Sequence, residues 1–193
     1  MQVRTGAGVI PFAIKDGLTW FLFHKTFSGR RAGLLVDFGG GSRSGESQLQ
    51  TAAREFVEET DAMYFAENCN DNLAPLVQSQ CELMLHQIEQ VQNSHPDWCC
   101  SRKHSDGDRP RDWKTFFVEV EFRDLADMNA AWAEDRAGRF KKRRELCWLS
   151  ADRLLEIVEY RPEVLWKRLR KYQGLRDAVV AIVRDVTHRG QSS

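Results

Sequence analysis

Three absences narrow the chain before any motif is read. No apolar run reaches the ~20 residues that a membrane span needs, so no transmembrane segment is expected. The opening MQVRTGAGVIPF has no basic stretch followed by a long apolar one, so no signal peptide is expected either. Net charge is also absent, because 28 Lys and Arg balance 28 Asp and Glu. No global field therefore advertises nucleic acid or a membrane surface as a partner. The five cysteines are odd in number and lack a framework spacing, which argues against a disulfide scaffold and suits a reducing compartment. An intracellular, cytoplasmic protein is the expectation. At 193 residues the chain is long enough for one domain with a proper core and short for two.

What is present is concentrated between Gly39 and Asp61, GGGSRSGESQLQTAAREFVEETD: a glycine-rich loop, then a short helix dense in carboxylates. Ser47 with Gln50 three residues on fits a capping box at the helix start. Projected at about 100° per residue, Leu49, Ala52, Ala53, Phe56 and Thr60 form a stripe that wants a core. Glu55, Glu58 and Glu59 fall together on the other side. Glu55 and Glu59 are like charges four residues apart, which costs an isolated helix a few tenths of a kcal/mol. Glu58 and Glu59 also lie near the helix C-terminus, where the macrodipole disfavours anions. Local physics opposes this arrangement, and a hard divalent cation such as Mg²⁺ or Mn²⁺ would remove the objection. Arg54, four residues before Glu58, can pair with it or brace the cluster. Glycines at 39, 40, 41 and 45 let the backbone turn tightly and approach a ligand.

The spacing G-x5-E-x7-R-E-U-x-E-E is met by Gly40, Glu46, Arg54, Glu55, Phe56, Glu58 and Glu59. It resembles the Nudix box, the signature of the Nudix hydrolases. Six fixed residues at ordinary frequencies would match by chance on the order of once in 10⁵ such chains. The box ordinarily ends with a glycine and an aliphatic residue, and here Asp61 and Ala62 stand in those places. Asp visits the left-handed conformation at some cost, so this departure bears on the helix stop more than on the chemistry. The fold that the resemblance implies is α/β, a mixed sheet sandwiched between helices. The whole of 1–193 is then expected as a single Nudix hydrolase domain, with a variable insertion at about 66–113 and a C-terminal helix at about 162–184.

The rest of the chain is read around that stretch. Val3–Ile14 is expected as a strand, with Pro11 at an edge or bulge. Lys15-Asp16-Gly17 reads as a turn, and Leu18–Lys25 as a strand buried on both faces. Helical stretches are expected within 70–92. Residues 93–112 (NSHPDWCCSRKHSDGDRPRD) read as a long exposed loop. That loop carries His95, Cys99, Cys100 and His104, but adjacent cysteines do not match zinc spacing, so metal-free loop residues are the favoured reading. Lys114–Phe122 alternates, with Phe116, Val118, Val120 and Phe122 on one face and Phe117, Glu119 and Glu121 on the other. The two glutamates are either solvent-facing or extra ligands. The run Lys141–Arg144 is either a solvated loop or a contact for substrate phosphates. Glu145–Leu149 reads as the last strand, Ser150 caps a helix to Tyr160, and Pro162 opens a longer helix through about Arg184. His188–Ser193 is expected to fray.

The resemblance implies hydrolysis of a pyrophosphate bond in a nucleoside diphosphate linked to another moiety. A phosphoanhydride is polyanionic, and metal held by Glu55, Glu58 and Glu59 would invert the sign of the site and activate a water for attack at phosphorus. The family adds a glycine-loop carbonyl as ligand, here Gly39 or Gly40. Arg54 would orient the glutamates, and Glu46 would fix the loop to the helix. Glu55 is the first candidate for the base, with Glu119, Glu121 and Glu145 as weaker ones. Substrate-binding residues stay open, because Trp20 and Phe38 are as readily core as platform. Candidate substrates are nucleoside diphosphate derivatives, dinucleoside polyphosphates, capped RNA and inositol pyrophosphates. Capped RNA would want a basic groove, to which Arg30-Arg31, Arg109-Pro110-Arg111 and the 141–144 run are candidates, though net charge gives it no support. The alternative is a Nudix scaffold that binds nucleotide or RNA as a regulatory module with little turnover. Oligomeric state is left open.

Overall fold

The first strand sets the frame. In the computed structural model, which describes residues 4–104 and 111–191, β1 (Arg4–Lys15) sends Ala7 and Val9 to one face and Ile10 and Phe12 to the other, all fully buried. A strand buried on both faces must lie inside a sheet with cover on each side. Asp16 and Gly17, both with positive φ (53° and 74°), turn the chain into β2 (Leu18–Thr26). Two left-handed residues match a type I′ hairpin, whose twist suits the flanking strands.

β3 (Phe38–Gly41) leads to α1 (Gln48–Glu59), and α2 (Val77–Ser94) follows. Next come β4 (Cys99–His104), β5 (Arg111–Glu119), α3 (Ala126–Ala133), β6 (Arg144–Ser150), α4 (Ala151–Tyr160) and α5 (Leu175–Gln191). The sheet order is β4-β5-β1-β2-β6, with β3 paired to β1. β5 runs parallel to β1 and the other pairings are antiparallel. One face packs Phe38, Leu22, Phe116 and Val118 against α1, α2 and α3 through Phe56, Met84, Ile88 and Trp132. The other packs Phe12, Phe21, Phe23 and Phe117 against α4 and α5 through Leu154, Ile157, Val179 and Ile182. This is the expected α/β arrangement, a mixed sheet between helices.

Four expectations are corrected. Pro11 lies in the central strand, not at an edge. β1 pairs with β3 over Gly6–Val9 and with β2 over Phe12–Lys15, so Pro11 falls in the gap between two partners. There a missing N–H is tolerated. The loop expected over 93–112 contains strand β4 instead, although 105–110 lie outside the described residues. Its anchors are Trp98 and Cys100, both buried, with Trp98 edge-on to Phe12 at 5.4 Å. Cys99 and Cys100, as neighbours on a strand, face opposite cores, while His95 stacks on Trp98 at 3.8 Å. The helix expected at about 162–184 is two 3₁₀ turns (Pro162–Val164 and Leu169–Lys171), and α5 starts only after Gly174 (φ 82°). The segment between is held to the sheet, where Leu35 N donates to Val164 O and Trp166 N to Leu35 O. Finally, α5 continues through Gln191 where fraying was expected, and Arg189 pairs with Asp185 and Glu119.

Candidate active site

The α1 helix is placed by its apolar stripe. Phe56 is fully buried and meets Phe38 (5.1 Å) and Tyr64 (5.4 Å) edge-on, which fixes the rotation of the helix over β3. Ser47 accepts from the Gln50 amide and Gln50 returns a bond to the Ser47 amide, closing the capping box. At the other end Ala62 N donates to Val57 O and Asp61 N to Glu58 O, the pair of bonds that defines a Schellman stop. Asp61 holds the left-handed conformation there (φ 48°), where the family has glycine, and Ala62 follows it (φ 59°).

Gly40 sits directly under α1. A Cβ there would fall 2.2 Å from a Glu55 carboxylate oxygen, so a larger residue would push that carboxylate from its place. Arg54 is the hub of the site. Its Nε and Nη2 donate to the two Glu46 oxygens (2.7 and 3.0 Å), and Nη2 also reaches Gly41 O (3.1 Å). Its Nη1 donates to Glu55 (2.6 Å) and Glu58 (3.0 Å). The hydrogen bond from Arg54 holds Glu46 down at about 2, and those same acids push Arg54 further up. Arg43 in the loop donates to the other Glu58 oxygen at 2.6 Å.

Glu59 departs from the projected cluster. It is only 8% exposed and accepts from the Gly39 amide at 2.8 Å. Burial raises its carboxyl to about 7, although Arg144 and the Gly39 amide oppose the shift. His24 Nε2 lies 3.5 Å from it, but the ring is fully buried, stacked on Phe38 and held neutral by burial, with a pKa of about 3. Among the described residues no three His, Cys, Asp or Glu side chains are gathered as a ready-made metal site. Arg54 stands between Glu55 and Glu58, and Glu59 is turned to the backbone.

A second group, not foreseen from the sequence, lies beneath β3. Asp37 is fully buried and its Oδ1 accepts from Arg168 Nε (3.1 Å) and Nη2 (2.6 Å). Its Oδ2 accepts from Thr115 (3.0 Å) and Tyr172 (2.9 Å). Arg168 also donates to Gly39 O (3.3 Å) and lies over the Trp113 ring at 4.0 Å. Gly39 is thus held on both sides, its N–H by Glu59 and its C=O by Arg168. Asp37 adjoins the glycines in sequence, but Arg168 is 131 residues away, so no local spacing announces the pair.

The weaker base candidates are not brought together with the box. Glu119 pairs with Arg189 of α5 at 3.0 Å. Glu121 is exposed, and Glu145 stands opposite Lys25 on β6. Phe38 is core. By contrast, Glu55, Glu58 and Glu59 share one cleft of about 800 Å³ with Asp61, Arg43, Arg139, Lys141, Lys142 and Arg144. Lys141, Lys142 and Arg144 of the basic run therefore reach the site, while Arg143 lies over the Phe27 ring.

No family model and no curated protein matches this chain. Solved structures do. An Ap4A hydrolase from C. elegans, in a binary complex, is 16% identical over 84% of this chain and 90% of its own, with a TM-score of 0.47. RenU, a Nudix hydrolase from M. smegmatis, is 14% identical over 98% and 90%, at 0.45. A NUDIX hydrolase from Alicyclobacillus acidocaldarius is 11% identical over 97% and 92%, at 0.46. The chain is similar to Nudix hydrolases, and the box residues of its own sequence carry that likeness furthest.

Proposed function

We propose that this chain is a Nudix-type pyrophosphohydrolase that hydrolyses a phosphoanhydride bond in a small substrate carrying a diphosphate. The observation that supports this most is the Arg54 hub. It ties Glu46, Glu55 and Glu58 to the glycine strand, and Glu55 and Glu58 line one cleft together with Glu59. The donor set suits Mg²⁺ or Mn²⁺, since Glu55, Glu58 and Glu59 offer hard oxygens, which a carbonyl of Gly39 or Gly40 would supplement. When bound, the metal supplies charge neutralisation for the diphosphate and acidifies a water. The chain's own residues do the rest. Arg54 holds Glu55 and Glu58 in place, and Gly40 leaves room for the Glu55 carboxylate to take a proton from the attacking water. Arg43 holds phosphate oxygens of the diphosphate by charge.

The test is product formation with Mg²⁺ or Mn²⁺ across nucleoside triphosphates, nucleotide sugars, dinucleoside polyphosphates, capped RNA and inositol pyrophosphates. Glu58→Gln runs in parallel. Cleavage at the diphosphate that falls at least a hundredfold in the variant supports the reading; a loss under tenfold sinks the metal-ligand role. A second reading, a nucleotide-binding module with little turnover, is favoured by one feature. Arg54 and the Gly39 amide already satisfy the three glutamates. Thermal stabilisation by a nucleotide and Mg²⁺ without product would select it.

A further inference from the structure

The cleft has a wall that hydrolysis of a lone diphosphate leaves unused. The stretch 139–144 contributes Arg139, Lys141, Lys142 and Arg144 to it and no acid. Arg144 is the unusual member. It is 8% exposed, its Nε has no hydrogen-bond partner among the described residues, and its ion pairs there are long: Asp61 at 3.4 Å and Glu59 at 4.0 Å. A buried guanidinium with a spare donor and slack ion pairs is an unmet demand for an anion. Asp61 aims it. That residue occupies a left-handed position where glycine would sit without strain, and its carboxylate spans Trp132 Nε1 (2.8 Å) and Arg144. The cleft offers little to a nucleobase: among the described residues Phe140 is the one aromatic on its lining, and the Arg139 guanidinium covers that ring at 4.5 Å.

We propose that Arg144, oriented by Asp61, forms with Lys141 and Lys142 a subsite for phosphate groups beyond the scissile diphosphate. The cleft then takes a polyphosphorylated substrate, a chain of three or more phosphates or a ring bearing several, over a diphosphate joined to an uncharged sugar. The reaction at this subsite rests on the hydrolase reading above; the binding rests on the cleft alone.

Calorimetric titration of the full chain in EDTA separates the two. Inorganic tripolyphosphate is expected to bind at least tenfold more tightly than pyrophosphate. The surface double variant Lys141→Ala/Lys142→Ala should weaken tripolyphosphate at least fivefold and pyrophosphate less than twofold. Asp61→Asn keeps an acceptor for Trp132 and a residue tolerant of the left-handed backbone, and should weaken tripolyphosphate about threefold. Inositol hexakisphosphate forms the second arm: tighter binding than tripolyphosphate assigns a ring, weaker binding a linear chain. Equal affinity for tripolyphosphate and pyrophosphate, binding of neither, or indifference to both variants overturns the subsite. If discrimination persists while no substrate is hydrolysed with Mg²⁺, the subsite stands and the hydrolase reading falls. If a nucleotide sugar is hydrolysed as efficiently as a nucleoside tetraphosphate and the anions are not discriminated, the reverse holds.

Discussion

Removing the Asp37 carboxylate tests how the glycine strand is held. Asp37→Ala deletes an acceptor that takes two bonds from Arg168 and one each from Thr115 and Tyr172, all in the interior. The two hydroxyls are 2.7 Å apart and can pair with each other, so they add little to the loss. Arg168 is different. It is 7% exposed, and without Asp37 it keeps only carbonyl contacts and the Trp113 face. Leaving one partner of a buried pair uncompensated costs about 3–5 kcal/mol. For a chain of this size, that lowers the melting temperature by about 6–20 °C. Urea and thermal denaturation of Asp37→Ala, Arg168→Met and the double variant give the cycle. The double variant is expected to be more stable than Asp37→Ala alone, because it no longer buries a lone cation. A loss below about 1 kcal/mol in Asp37→Ala, or a double variant equal to the sum of the singles, would refute the argument.

Other outcomes follow from single contacts. Glu55→Gln should lower kcat at least a hundredfold, whereas Glu119→Gln, on the α5 side, should leave it within twofold in the same steady-state assay. Ser47→Ala removes half of the capping box and should cost about 1 kcal/mol by urea titration, without a change in KM. His24, with its folded pKa at about 3 against a usual 6.5, binds fewer protons folded than unfolded. Stability from that group is therefore lost as pH falls from 6.5 towards 3. Glu59, raised to about 7 from a usual 4.5, acts oppositely: its contribution is full below 4.5 and lost as pH rises through 7. The two offset each other between pH 4.5 and 6.5. Stability measured against pH should thus be nearly flat there from these groups and fall below it, and His24→Gln should remove the acid-side loss.

The legible parts of the sequence are those whose cause is local. The hairpin at Asp16-Gly17, the two-faced strand Leu18–Thr26 and the cap at Ser47 each arise within a few residues. So does the Arg54 hub, whose partners Glu46, Glu55 and Glu58 lie within eight positions. The features that local sequence hides depend on distant partners. β4 looks like loop because its sequence is polar, and it becomes a strand because β5 supplies its edge and Phe12 a seat for Trp98. The break in the expected 162–184 helix follows from Leu35 and Asp37, which draw Trp166 and Arg168 to the sheet. Helical projection grouped Glu59 with Glu55 and Glu58, but the Gly39 amide, which the projection cannot contain, took it inward.

That inward turn links scaffold to chemistry. Gly39 N donates to Glu59 and Gly39 O accepts from Arg168, so one residue joins an acid on α1 to the buried ion pair under β3. Arg144 approaches Glu59 from the third side and carries the connection to Asp61 at the helix stop. A cation that takes the Glu59 oxygen now bonded to Gly39 must break that bond and leave the amide to another acceptor. It must also take Glu59 in its ionised form, which burial disfavours below about pH 7. Metal affinity should then rise with pH by up to tenfold per unit below 7 and level off above it. Isothermal titration of Mn²⁺ across pH 5.5–8.5 measures this slope directly. A pH-independent affinity would mean that the metal is held without Glu59, by Glu55 and Glu58 alone, and that the third glutamate serves the glycine strand.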